Sequence, residues 1–373
     1  MKVLFISHEA SRTGAPLALL SVLKAIHDGN NDIIPDVLLM EGGALEPDFN
    51  GLATIVHLKK RKRLWQRFKR KFSLCDEPYS FDYRQLKKES YDCIFANSTV
   101  ALSTAAKLKQ ELGCPLILNV HESSFLLQSS VSDTGNLFQC DKLIAVSDAV
   151  KKDLVDYYGV DERKISVVWP PTELNATPIL TPAKKTNDII IGMSGSGGWY
   201  KGLDLVPLVI KDFTIRHAET SCHFKWVGGI PDEDLAHLKF DIERLGLTDK
   251  LTLTGNIDNP IEHYRNFDIF LLLSRGEAFS LACLENILLG VPIVCMKDST
   301  GIVNMIGDDA AVTVSYLSIH EISDALYRLS INPDYRNSVA SVAMARLKEK
   351  YSKQKSIEAI LNEIRTFNLN KQQ

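Results

Sequence analysis

The chain has 373 residues, of which 45% are hydrophobic and 24% charged, with a mean hydropathy of −0.04. That length is too great for one compact core and suits two domains, while no apolar run approaches the roughly 20 residues of a membrane span. The formal net charge of −3 hides one asymmetry: nine of the 43 basic residues, and no acidic one, fall in 59–71.

Residues 3–7, VLFIS, are too few for a signal-peptide core, so no secretory leader is expected and a cytoplasmic location is. The seven cysteines have no CxxC spacing, as expected of reduced thiols. The nine histidines form no metal-type cluster with carboxylates, so neither a metal nor any other cofactor is expected.

Along the first half, apolar β-branched runs predict strands at 3–7, 36–40, 54–58, 92–97, 115–121, 142–147 and 165–169. Helical patterns lie between them at 15–27, 99–112 and 148–158, the last with Ser147-Asp148 at its start and Gly159 as its stop. The stretch 170–188, PPTELNATPILTPAKKTND, carries four prolines and reads as a linker. Strands resume at 189–195, 223–228, 251–255, 268–274 and 292–296. Helices are predicted at 203–217, 232–245, 281–289 and 319–329, with a long helical tail over 335–367. Near-continuous apolar strands alternating with helices imply an α/β protein of two doubly wound, Rossmann-like parallel-sheet domains. The expected division is 1–170, a linker at 171–187, 188–350, and a C-terminal helix at 351–373. Ligands of such sheets bind beyond the carboxyl ends of the strands.

Chemistry is therefore sought at those ends. After the first strand, Gly14 and Ala15 open a helix whose free amides suit an anion, although a plain connecting loop explains them as well. After 115–121 come His121 and Glu122, open to a structural or a functional role. After 189–195 comes SGSGGWYKG. Ser196, Gly197 and Gly198 let backbone approach a ligand, and Lys201 follows, a phosphate cradle that is neither a Walker loop nor GxGxxG. After 268–274 comes SRGEAFSLACLE. A helix dipole accounts for Glu277, but it accounts poorly for Glu285, which lies among Leu, Ala, Cys and Ile. Two carboxylates in one site suit a polyhydroxylated ligand.

These stretches resemble the retaining GT-B glycosyltransferases of glycosyltransferase family 4. GEAFSLACLENILLGVPIV, residues 276–294, matches that family's E-x7-E signature. LTGNIDNPIEHYRNFDIFLLLS before it and VSDAVKKDLVDYYGVDERKISVV in the first half resemble the flanking elements. The resemblance covers nearly the whole chain and implies two facing domains and no required metal. It implies that Glu285 holds ribose hydroxyls of a nucleoside diphosphate sugar and Glu277 contacts the transferred hexose. Lys201 neutralises the diphosphate, and the main chain of Ala278, Phe279, Ser280 and Leu281 supports sugar and diphosphate. Gly14 and Ala15 lie against the diphosphate, Ile257 borders the base, and His121 stands near the donor sugar facing the acceptor. Epimerase, phosphorylase and non-catalytic partner readings of the same fold remain open.

The chain departs from the family at Ser196, where many members carry an arginine on the diphosphate; either Arg275 or Arg12 supplies that charge, or donor binding is weaker and leans more on backbone donors. The basic stretch holds Lys59, Lys60, Arg61, Lys62, Arg63, Arg67, Lys69, Arg70 and Lys71. In a helix, Leu64, Trp65, Phe68 and Phe72 share one face. The segment reads either as a solvated helix packed on its own domain or as an interfacial one. Relatives with lipid-linked acceptors tilt the expectation toward peripheral binding to an anionic membrane. Glycan or lipid-linked acceptors are expected, and nucleic acid is not.

Overall fold

A computed structural model describes residues 1–29, 32–57, 60–61, 80–81, 84–130, 134–172 and 188–369. The described residues fall into two compact units. The first holds those of Met1–Val146, Val150–Thr172 and Lys353–Gln373; the second holds those of Ser147–Ala149 and Glu173–Ser352.

In chain order the first half supplies β1 (Lys2–Ser7), α1 (Gly14–Gly29), β2 (Ile34–Leu39), α2 (Glu46–Asn50) and β3 (Thr54–His57). A two-residue antiparallel pair follows, β4 (Lys60–Arg61) and β5 (Ser80–Phe81). Then come β6 (Cys93–Ala96), α3 (Leu102–Leu112), β7 (Leu116–Val120), α4 (Ser124–Ser130), α5 (Gly135–Phe138), β8 (Lys142–Ala145), α6 (Asp148–Asp156) and β9 (Ile165–Val167). Seven strands form one parallel sheet in the order β3-β2-β1-β6-β7-β8-β9. Every residue of β6 and β7 is buried. That is why these strands read as unbroken apolar runs rather than as alternating patterns.

The second unit contains β10 (Ile189–Ser194), α7 (Val206–Arg216), β11 (Cys222–Val227), α8 (Asp232–Arg244), β12 (Leu251–Leu253), α9 (Ile261–Tyr264), β13 (Ile269–Leu272) and α10 (Leu281–Leu288). It continues with β14 (Ile293–Met296), α11 (Gly301–Ile306), β15 (Val312–Val314), α12 (Ile319–Ile331) and α13 (Pro333–Lys350). Its sheet is parallel, ordered β12-β11-β10-β13-β14-β15. Both units are thus the doubly wound α/β sheets the sequence predicts.

The tail differs from the single helix predicted over 335–367. It is two helices, because α13 ends at Tyr351 in an extended conformation and α14 (Lys353–Leu369) starts afresh. Asn332 caps α13 by accepting from the Tyr335 amide at 3.0 Å, with Pro333 in the first turn. Ile357, Ile360, Leu361 and Ile364 of α14 recur at helical spacing and join the first unit's core beside Val3, Phe5 and Phe95. Arg365 of α14 pairs with Asp32 at 2.9 Å, and Glu363 takes Lys142 at 3.4 Å and the Ser166 hydroxyl.

Of the expected linker, residues 173–187 lie outside the described residues. So does most of the basic segment. Only Lys60 and Arg61 are described there, and their backbone is strand, not helix, because it pairs with Ser80–Phe81.

Candidate active site

The second unit gathers its chemistry where β10 and β13 end. After Ser194 the chain turns over a glycine loop pinned to its neighbours. The Gly197 amide donates to the Gly229 carbonyl at 2.7 Å, and Trp226 Nε1 donates to the Gly195 carbonyl at 3.2 Å. Gly202 ends this loop at φ +73°, and a Cβ there would lie 2.2 Å from the Leu273 carbonyl oxygen. Gly202→Ala therefore combines left-handed strain with a backbone clash. It is expected to cost at least about 1–2 kcal/mol in urea unfolding; an unchanged midpoint would contradict the geometry.

That fixed turn delivers Lys201. Its ammonium lies 2.8 Å from Glu277 Oε1, and the Ser274 hydroxyl donates to the same oxygen. The Glu277 side chain is only 10% exposed. Burial pushes its carboxyl upward, but the Lys201 charge and hydrogen bonds from Lys201, Ser274 and Ser280 outweigh it, leaving the pKa below its usual value. Its backbone is held as well: the Glu277 amide donates to the Ser299 carbonyl at 2.7 Å, and the Gly301 amide donates to the Glu277 carbonyl at 3.1 Å.

Ser280 caps α10, its hydroxyl accepting from the Cys283 amide at 3.4 Å. Ala278 is buried, and Phe279 stacks on Tyr351 with ring centroids 6.5 Å apart. The amides of Ala278, Phe279 and Leu281 make no hydrogen bond among the described residues, so this helix start offers donors to an incoming group. One turn into α10 lies Glu285. Its carboxylate has no hydrogen-bond or ion-pair partner among the described residues, and burial raises its pKa to about 7. The buried Tyr264 is near enough for the Glu285 and Glu277 charges to add to the burial that raises its phenol, and its hydroxyl meets that of Ser194.

The remaining expected donor residues divide. Ser196 is exposed and Gly198 half-buried in the loop after β10, while Ile257 is half-buried after β12. Arg275 is not a loose charge. It makes a bidentate pair with Asp204 at 2.9 and 2.8 Å, lies 4.2 Å over the Trp199 ring, and donates to the Trp199 carbonyl. It braces the turn that carries Lys201. Arg12, in the first unit, is exposed and has no partner among the described residues.

In the first unit, Gly14 and Ala15 form the first turn of α1, and the Ala15 carbonyl accepts from Asn97 Nδ2 at 2.7 Å. Glu9 takes the hydroxyls of Ser11 at 2.6 Å and Thr13 at 3.1 Å, which close that loop. His121 follows β7. Its Nε2 lies 2.8 Å from Asn119 Nδ2 and 3.3 Å from Asn97 Oδ1. Burial, and then the neighbouring His8, push its pKa down to about 3, so the ring is neutral. Glu122 has structural work, accepting from Ser98 Oγ at 2.6 Å, the His121 amide at 3.0 Å and the Thr99 amide at 3.2 Å.

Sequence reading missed Asn97, Asn119, Ser274 and Tyr264. The two asparagines had a signal: each is a polar residue at the end of an apolar strand run, and Asn119 shares a strand face with His121 by the period of two.

The fold defines a class, the glycosyltransferases with two Rossmann-like units. Residues 181–346 match the family model described as Glycosyl transferases group 1, and residues 36–175 match that described as Glycosyltransferase Family 4. The chain belongs to this GT-B family. A lipopolysaccharide core biosynthesis mannosyltransferase, LpsB, of Rhizobium meliloti is 30% identical over 144 residues, 37% of this chain and 38% of that protein. A D-inositol 3-phosphate glycosyltransferase of Kineococcus radiotolerans is 27% identical over 170 residues, 41% of this chain and 39% of that one. The match thus spans about two fifths of these curated relatives. Among solved structures, Anabaena HepE in complex with UDP-glucose superposes with a TM-score of 0.78 at 17% identity, covering 98% of this chain and 100% of that one. The apo lipopolysaccharide outer core galactosyltransferase WaaB gives a TM-score of 0.74 at 15% identity, covering 97% and 100%.

Proposed function

We propose that the protein is a retaining hexosyltransferase. It moves a hexosyl unit from a nucleoside diphosphate sugar to a hydroxyl of a glycan or lipid-linked acceptor, in surface polysaccharide or glycolipid synthesis of bacterial type. One observation carries the reading: Lys201 bound to Glu277, the unpartnered Glu285 and the open amides of 278–281 converge at the strand ends of the unit matched by the group 1 family. The relatives' names, and UDP-glucose in the HepE complex, support the donor and product classes.

In the reaction proposed here, Glu285 accepts hydrogen bonds from ribose hydroxyls and Glu277 from hexose hydroxyls. Lys201 and the amides at the start of α10 stabilise the negative charge that grows on the diphosphate as the glycosidic bond breaks. The bond from anomeric carbon to phosphate oxygen breaks while the acceptor oxygen bonds to the same face. The departing phosphate oxygen takes the acceptor proton. His121, neutral, serves the sugar as a hydrogen-bond partner rather than as a base. No step calls on a metal. Incubation with a panel of nucleotide sugars and acceptors, with the product's anomeric configuration read by NMR, tests this. An α-linked product from an α-linked donor is expected. An inverted product, or nucleotide release with no glycoside, overturns it.

The basic stretch 59–71 supports a peripheral site on the cytoplasmic face of an anionic membrane, at about 1 kcal/mol for each basic residue near the surface. No helix among the described residues is long and apolar enough to cross a membrane. Sedimentation with anionic but not neutral liposomes, weakened by salt, is the expected result; equal sedimentation with both, or none at low salt, overturns it.

A further inference from the structure

We infer that Asn97 and Asn119 are positioning residues that hold His121 in the neutral form protonated on Nδ1, making it a hydrogen-bond donor of fixed direction at the end of the first unit's sheet. Amide and imidazole orientations follow from their partners. The Ala15 carbonyl can only accept, so the Asn97 atom 2.7 Å from it is the amide nitrogen. Asn97 Oδ1 is therefore turned toward Asn119 and His121. That oxygen can only accept, so the Asn119 atom 3.2 Å away is its NH2. The same NH2 lies 2.8 Å from His121 Nε2. A ring nitrogen that receives a hydrogen bond carries no proton, which leaves the proton on Nδ1. Nδ1 has no partner among the described residues and is the nitrogen left to donate to a ligand.

A second observation points the same way. Asn119 is 3% exposed, and its Oδ1 is buried without a partner among the described residues. An unforced amide would turn to satisfy that oxygen. Turning it here sets two amide oxygens 3.2 Å apart, and both would have to share one Nε2–H. The chain of bonds begins at Ala15, in the first turn of α1, so it ties the Gly14 loop to the ring's protonation. Among titratable groups, His8 acts on the ring through space and disfavours its charged form, as burial does. The Glu122 carboxylate meets the backbone amide of His121, not its ring. The ring therefore stays neutral where a free imidazole titrates, near pH ~6.5. Its use as a donor to sugar or acceptor oxygen rests on the transferase reading; the tautomer does not.

The test uses the full chain labelled with 15N-histidine and long-range proton–nitrogen correlation, with His121 assigned by the signal lost in His121→Gln. Protonated Nδ1 and bare Nε2, unchanged across the pH range in which a free histidine titrates, are expected. Asn119→Asp places a carboxylate against Nε2 and is expected to add a proton there, giving a doubly protonated ring at neutral pH. Protonated Nε2 on the His121 ring of the wild-type protein overturns the inference whether or not Asn119→Asp folds, and so does an Asn119→Asp ring identical to wild type. No substrate enters these measurements, so absence of sugar transfer would overturn the proposed function and leave this result standing.

Discussion

Glu285→Gln is expected to stabilise the ligand-free protein above pH 7 while cutting sugar transfer by about 10²-fold or more. The stability half follows from linkage. Burial raises the Glu285 pKa to about 7 from an ordinary 4.5, so the folded state holds the proton more tightly than the unfolded chain does. That contribution is fully present below about pH 4.5 and is lost as pH rises through 7. Above that point an unpaired carboxylate stays ionised in a half-buried site, at a cost of at most about 3 kcal/mol from the 1.36 kcal/mol per unit relation. Glutamine carries no such charge. Its advantage should appear in urea unfolding at pH 8 and vanish at pH 4. The activity half follows from the same missing partner. A carboxylate accepting from two ribose hydroxyls makes charged hydrogen bonds of about 1.5–3 kcal/mol each, which glutamine replaces poorly. Hydroxyl donors favour the ionised form, so wild-type donor affinity should rise from pH 6 to pH 8, and the variant should lose that slope. A Glu285→Gln protein less stable than wild type at pH 8 would show that the carboxylate already has a structural partner, and one equally active would show that it does not hold the ribose.

Lys201→Ala is expected to damage both fold and chemistry. Removing the ammonium leaves Glu277, 10% exposed, with only serine hydroxyls for its charge. Breaking one side of such a pair costs about 3–5 kcal/mol. The double variant Lys201→Ala/Glu277→Gln removes the stranded charge and should recover most of that stability. Transfer should stay depressed by about 10²–10³-fold in both, because the cation proposed to stabilise the leaving diphosphate is gone. Unfolding curves beside turnover separate the two effects. If the double variant is as unstable as the single one, Glu277 is not the stranded group. If the single variant transfers sugar at the wild-type rate, Lys201 does not stabilise the leaving group.

The sequence made these two residues visible separately but not as a pair. Lys201 and Glu277 stand at the ends of different strands, and their contact depends on β10 lying beside β13, which chain order does not state. The strands themselves were legible because burial on both faces demands apolar runs. The three-residue β15, VTV, is too short to separate from loop. The break between α13 and α14 was hidden because Tyr351-Ser352 carries no glycine or proline, and polar-apolar spacing continues across it. Arg275 looked like a spare cation for the diphosphate because its partner, Asp204, is 71 residues away. Glu285 was legible for the opposite reason. A carboxylate among core residues needs an explanation, and none of the described residues partners it.

Amide hydrogen exchange with and without a saturating nucleotide sugar, taken from a panel that starts with UDP-glucose, bears most directly on the proposed donor site. Protection should concentrate in the glycine loop, residues 194–202, and at the start of α10, residues 276–285, and both should weaken in Glu285→Gln. Protection elsewhere in the second unit with these two segments unchanged, or no protection by any donor in the panel, would contradict the assignment of the site.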